Sequence, residues 1–174
     1  TNLSANKPIL LMMGGSTGSR VVNTALRKIL PQLLDQFQVI HLCGKGNIDT
    51  SLKMEGYRQY EYISKELKDL MAAADVVLSR AGANAICELL ALKKPNILVP
   101  LSAAVSRGDQ ILNAASFEKQ GFSYVVQEEN MNEETLYKAI MEVYSNRKKY
   151  ISAMEQSQLS NGVDVILQLI KDLV

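Results

Sequence analysis

Six short apolar runs punctuate the chain: PILLMM (8–13), FQVIHLC (37–43), RQYEYI (58–63), ADVVLS (74–79), PNILVP (95–100) and SYVVQ (123–127). Most are nearly continuous rather than alternating in polarity, which is the pattern of strands buried on both faces of a parallel sheet. Helical stretches lie between them: SRVVNTALRKILPQLL, a short one around DTSLKMEG, KELKDLMAAA, ANAICELLALK, and DQILNAASFEKQ stopped by Gly121. NEETLYKAIMEVYSN follows, with Asn132 and Glu134 as its N-terminal signal, and two further helical stretches finish the chain. This strand–helix alternation predicts a doubly wound, mostly parallel α/β sheet with right-handed crossovers, in one domain over residues 1–174.

Composition narrows the function. The 174 residues suffice for one sizeable core, and 47% hydrophobic with 21% charged content is ordinary for a folded protein. A net charge of +1 gives no basic excess for nucleic acid. Cys43 and Cys87 both sit in apolar segments, which points to reduced thiols rather than a disulfide framework. No apolar run reaches the roughly 18 residues a membrane span requires. The opening TNLSANKP is polar and lacks Met, and reads as a linker within a longer protein.

Ligands of such folds sit beyond the carboxyl ends of the strands, where loops lead into helices. MMGGSTGSR, after the first run, offers close backbone approach, a helix N-terminus and the hydroxyls of Ser16, Thr17 and Ser19. A phosphate cradle and a tight serine-capped turn both fit it. Its spacing is neither GxGxxG nor GxxxxGK[ST], so the dinucleotide fingerprint and the P-loop both fail. In HLCGKGN the single histidine, His41, lies inside an apolar run without an acid beside it, which makes it structural before it is a general base. In EYISKELKDL, Ile63 closes a strand and Ser64 is placed to cap the next helix.

The most informative stretch is SRAGANAICELLAL (79–92). Glu88 is the one acid on an otherwise apolar helix, about one and a half turns in. A carboxylate accepts two hydrogen bonds at once, so its match is a pair of neighbouring hydroxyls such as those of a ribose. The alternative is a surface acid paired with Lys93, Lys94 or Arg80. Further on, Asp109, Gln110 and Asn113 gather at a helix start, either as caps or as readers of sugar hydroxyls.

Taken in order, GGSTGSR, HLCGKGN, EYI, ADVVLSRAGANAICELLALKKPNILVPL and GDQILNA resemble the C-terminal half of the MurG family, the peptidoglycan N-acetylglucosaminyltransferases. The resemblance covers nearly the whole chain. It implies one half of a GT-B fold, with the donor held mainly by this half and the acceptor and membrane side in an N-terminal half outside the chain. The implied activity is transfer of N-acetylglucosamine from UDP-N-acetylglucosamine to undecaprenyl-diphospho-muramoylpentapeptide, lipid I to lipid II, in peptidoglycan synthesis. The implied location is the cytoplasmic face of the bacterial membrane, as a peripheral protein touching the membrane only through the missing half. Gly15 and Ser16 fall on the family's glycine-rich loop at the donor diphosphate, and Ile63 on the position whose backbone pairs with uracil. Ala83, Asn84, Ala85, Ile86, Cys87 and Glu88 fall on the donor-lining segment, Glu88 on the acid that grips the ribose. Gln110 falls on the glutamine that reads the sugar. Two positions depart from the pattern: Asp109 stands where a second glutamine is frequent, and Ser19 where the loop usually has alanine.

The implied reaction is inverting, with negative charge growing on the departing diphosphate. No DxD triplet occurs in the chain, and neither metal nor cofactor is expected; fixed amides and a helix N-terminus are left to hold that charge. No catalytic base is expected in this half, so the chain alone should bind UDP or UDP-N-acetylglucosamine weakly and turn nothing over. Rival readings are the donor domain of a UDP-sugar:diacylglycerol glycosyltransferase, a non-hydrolysing UDP-sugar epimerase, and a non-catalytic nucleotide-binding module. A receiver-like module would need acids after the first strand, and MMGGSTGS has none.

Overall fold

A computed structural model of the protein describes residues 6–15 and 17–157. Its strands are β1 Ile9–Met13, β2 Gln38–Leu42, β3 Tyr57–Tyr60, β4 Val76–Ser79, β5 Asn96–Leu98 and β6 Tyr124–Val125. Its helices are α1 Arg20–Leu34, α2 Leu67–Ala73, α3 Ala83–Ala91, α4 Asp109–Lys119, α5 Glu133–Ser145 and α6 Arg147–Glu155, with a short 3-10 turn at Glu128–Asn130. The last of the expected helical stretches lies outside the described residues.

The strands form one sheet in the order β3-β2-β1-β4-β5-β6, and every pair is parallel. This is the order of a Rossmann sheet, and the doubly wound expectation holds. The central strands are buried along their length, which is why their apolar runs do not alternate. On α1, Val22, Leu26, Ile29, Leu30 and Leu33 form the buried stripe, and α1 packs against α5. Ser19 caps α1 by accepting from Val22 N at 3.3 Å. Asn132 caps α5, and its partner in a reciprocal capping box is Thr135 rather than an acid.

Three local expectations are corrected. DTSLKMEG is no helix: Asp49 Oδ1 accepts from Ser51 N at 3.0 Å and holds a turn, and the chain runs irregularly to Gly56. The third strand ends at Tyr60, opposite Leu42. One more backbone bond follows, Gly44 N to Glu61 O at 3.1 Å, and the neighbouring chain turns at Gly44, whose φ is +87, so the regular ladder stops and Ile63 lies in the following loop. Ser64 does not cap α2, whose N-cap is Glu66 with no side-chain hydrogen bond.

His41 is structural, as its setting in the sequence implied. It is wholly buried on β2, with Nδ1 2.8 Å from the Tyr57 hydroxyl and Nε2 3.0 Å from Asn23 Oδ1. Asn23 Nδ2 donates to Cys43 O at 2.8 Å, so its Oδ1 is the acceptor and His41 Nε2 carries the proton. Burial, aided by the Arg27 charge, pulls the His41 pKa from 6.5 to about 3, and burial pushes Tyr57 up to about 12. Both groups are therefore neutral in the native state. Unfolded chains take up a proton at His41 below pH 6.5 that the native state refuses until about pH 3. Stability contributed by the neutral ring is thus complete above 6.5 and is lost as pH drops through that window, by up to about 1.4 kcal/mol per unit. Urea unfolding between pH 7 and 4 should show this slope shallower in His41→Gln than in the native sequence. Equal slopes would contradict it.

Candidate functional site: a cleft at the strand tips

The sheet changes its direction of progression at β1, between β2 on one side and β4 on the other, and a crevice opens there beyond the strand ends. It has a volume of about 690 Å³ and is walled by the loops after β1, β3, β4 and β5. Its floor is Met13, Leu42 and Ser79, the last residues of three neighbouring strands.

The wall after β1 turns at Gly15, with Gly18 N bonded to Gly15 O at 3.1 Å. Gly15 has φ +80 and faces open space, so nothing stands between its backbone and a ligand. Gly18 and Gly44 press backbone to backbone: a Cβ on Gly18 would meet Cys43 O at 2.0 Å, and one on Gly44 would meet Gly18 N at 2.2 Å. That contact seats the first loop on the loop after β2. Ser16 lies outside the described residues.

The opposite wall is the N-terminus of α3. Gly82 is its N-cap, no side chain caps its first turn, and no acid lies there. By contrast α1 is capped by Ser19, and α4 carries Asp109 in its first turn. Gly82, Ala83, Asn84 and Ala85 line the cleft, so the open end of the α3 dipole borders it. Glu88 also lines the cleft and is exposed. Its carboxylate has no hydrogen-bond or ion-pair partner among the described residues. Of the three cations that could have explained it away, two are engaged elsewhere, Lys94 Nζ donating to Ala74 O at 3.1 Å and also to Ala72 O and Arg80 pairing with Glu128, and Lys93 forms no ion pair with it.

Of the residues singled out beforehand, Gly15, Ile63, Ala83, Asn84, Ala85, Glu88 and Gln110 all line this one cleft. Ile86 and Cys87 do not. Ile86 is 5% exposed and packs into the core, and Cys87 is exposed outside the lining, since a helix turns about 100° per residue and cannot present six consecutive side chains to one side. Gln110 Oε1 accepts from Leu101 N at 3.2 Å, leaving its amide N–H groups for a ligand. Asn113 is spent on Ala81 O at 3.1 Å, and Asp109 is exposed outside the lining. Cleft residues that were not foreseen include Glu61, Tyr62, which is 64% exposed on the rim beside Ile63, and Leu101, while Arg80, foreseen only as a possible partner of Glu88, stands in the wall itself. No group of three His, Cys, Asp or Glu side chains placed to hold a metal occurs among the described residues.

Residues 9–169 match the model of the glycosyltransferase family 28 C-terminal domain. The chain belongs to that family. This family 28 domain is 62% identical, over 98% of its length, to the UDP-N-acetylglucosamine–N-acetylmuramyl-(pentapeptide) pyrophosphoryl-undecaprenol N-acetylglucosamine transferase of Lachnoclostridium phytofermentans. The enzyme of the same name from Clostridium perfringens is 59% identical over 98% of the chain. In each case the chain spans 48% of the relative, about half its length. Among solved structures, Acinetobacter baumannii MurG superposes with a TM-score of 0.72 at 24% identity, covering 95% of this chain and 51% of that one. The glycosyltransferase VinC, crystallised with dTDP, gives 0.68 at 12% identity, covering 96% and 41%. These likenesses establish the fold of the family 28 domain as one half of a GT-B glycosyltransferase.

Proposed function

We propose that this family 28 domain is the donor-binding half of an inverting glycosyltransferase that moves N-acetylglucosamine from UDP-N-acetylglucosamine to undecaprenyl-diphospho-muramoylpentapeptide. The observation that carries the reading is the pairing of an uncapped α3 N-terminus with an unpartnered Glu88 on the same cleft. The first suits an anion and the second a vicinal diol, and a nucleoside diphosphate presents both in that order. Gly15 and the first-turn amides of α3 take the diphosphate, Glu88 the ribose, the backbone at Ile63 the uracil, and Gln110 the sugar. As the acceptor hydroxyl attacks the anomeric carbon, the C–O bond to the β-phosphate breaks and its electrons go to the diphosphate. Amides fixed beforehand at that anion lower the barrier without a metal; one such donor is worth roughly a hundredfold in rate. The base that takes the acceptor proton belongs to the rest of the longer protein, which also carries the lipid acceptor at the cytoplasmic membrane face. No helix of the described residues is long and apolar enough to cross a membrane. The 62% identity to a relative so named supports the choice of donor and acceptor.

Calorimetry on this chain tests the donor. UDP should bind more tightly than UMP, and both more tightly than NAD; NAD equal to or better than UDP would end the proposal. In the full-length enzyme, turnover should survive EDTA, and loss restored by magnesium would remove the metal-free mechanism.

A further inference from the structure

Arg80 is the one basic side chain in the lining of the cleft, and the proposed chemistry leaves it unused. It is nearly buried, at 13% side-chain exposure, and both of its terminal nitrogens are engaged. Nη2 donates to Ser19 Oγ at 2.6 Å, while Nη1 donates to Val99 O at 3.1 Å and Pro100 O at 3.2 Å. Nη1 also meets Glu128 Oε2 as an ion pair, with Glu128 at 14% exposure on the 3-10 turn after β6. One guanidinium therefore fastens the loop after β4 to the loops after β1 and β5, which are three of the four walls of the cleft. Ser19 is the position where the sequence departs from the family's usual alanine, and here its hydroxyl both caps α1 and receives Arg80.

We propose that Glu128 is a positioning residue for the diphosphate side of the cleft, acting through Arg80 on Ser19. The planar guanidinium has a fixed fork of donors, so a carboxylate holding one edge fixes where the other edge points. With Glu128 in place that edge stays on Ser19, and the first loop and the α3 N-terminus keep a constant separation. Without it, a positive charge is left nearly buried and unpaired; the guanidinium turns toward the solvent of the cleft, and the loop loses its anchor. The inference rests on the nucleotide reading of the same cleft.

The test is a double-mutant cycle between Ser19 and Glu128, which do not touch, read by UDP and UMP affinity on this chain. Glu128→Gln keeps the volume and removes the charge; Ser19→Ala removes the acceptor at the other end. Each single change should weaken UDP about tenfold and UMP less than about threefold, and the double variant should lose no more than the worse single one, since either change cuts the same connection. Thermal unfolding identifies any variant that is not folded, and Ser19→Ala then decides alone through its UDP-to-UMP ratio. Additive losses, equal losses for UDP and UMP, or unchanged UDP affinity would each overturn the proposal. If the unaltered chain binds no UDP, the nucleotide reading itself has failed; if it binds and the variants match it, only the role of Glu128 falls.

Discussion

Gly44→Ala is expected to cost about 4 kcal/mol of folding stability and to abolish nucleotide binding at concentrations that saturate the native chain. Two penalties add at this position. The backbone holds φ +87, where a side chain is strained, and a Cβ would stand 2.2 Å from Gly18 N and 2.4 Å from Gly18 Cα. Both neighbours are backbone, so relief requires the loop after β1 to lift away, and that loop carries the cleft's first wall. Gly46→Ala is the control: it shares the positive φ, at +72, but nothing lies within 4 Å of the added Cβ. It should cost only about 1 kcal/mol, the conformational penalty alone. Urea titrations of the two variants, with slopes compared to exclude a change in the unfolded state, measure the difference directly. A Gly44→Ala protein within 1 kcal/mol of Gly46→Ala would show that the two loops do not press together as described.

The same pair of glycines marks where sequence reading stops. HLCGKGN could be read as a turn, but that Gly44 meets Gly18 across 26 residues depends on β1 and β2 lying side by side, a tertiary fact. Strands were legible because a strand buried on both faces must be apolar at every position, as Leu10, Leu11, Val77 and Leu78 are. The end of β3 was not: EYI continues the run, and the ladder stops at Tyr60 because the neighbouring chain turns away at Gly44. Ser64 failed as a cap for a related reason, because Leu67 N turns to the Ser64 carbonyl at 3.5 Å and leaves the hydroxyl out. Among site residues, Glu88 was conspicuous because a charge interrupts an apolar helix. Arg80 was not, because its partners sit at positions 19, 99, 100 and 128 and no local pattern links them. Resemblance to a family supplied the ligand for each loop; the geometry then separated the Ala83–Ala85 and Glu88 positions from Ile86 and Cys87, which the helix turns away from the cleft.

Glu88→Ala should weaken UDP about a hundredfold while leaving the fold untouched. The carboxylate is exposed and unpartnered, so no native contact is lost, and alanine favours a helix more than glutamate does. The melting temperature should therefore hold or rise, which separates a binding defect from a folding one. Two hydrogen bonds from ribose hydroxyls to a charged acceptor account for the size of the loss, and Glu88→Gln, which keeps one acceptor oxygen, should lose about tenfold. Position within the helix would keep the acid from repelling a diphosphate bound at the first turn. Five residues separate Glu88 from Ala83 at the open N-terminus, about 8 Å along the axis, so phosphates gathered at the first turn sit well clear of it. The decisive comparison uses 2′,3′-dideoxy-UDP. The native chain should bind it about as weakly as Glu88→Ala binds UDP, and the substitution should change its affinity little, or improve it slightly by removing a negative charge from the cleft. If Glu88→Ala weakens UDP and the dideoxy analogue by the same factor, the acid acts on something other than the two hydroxyls.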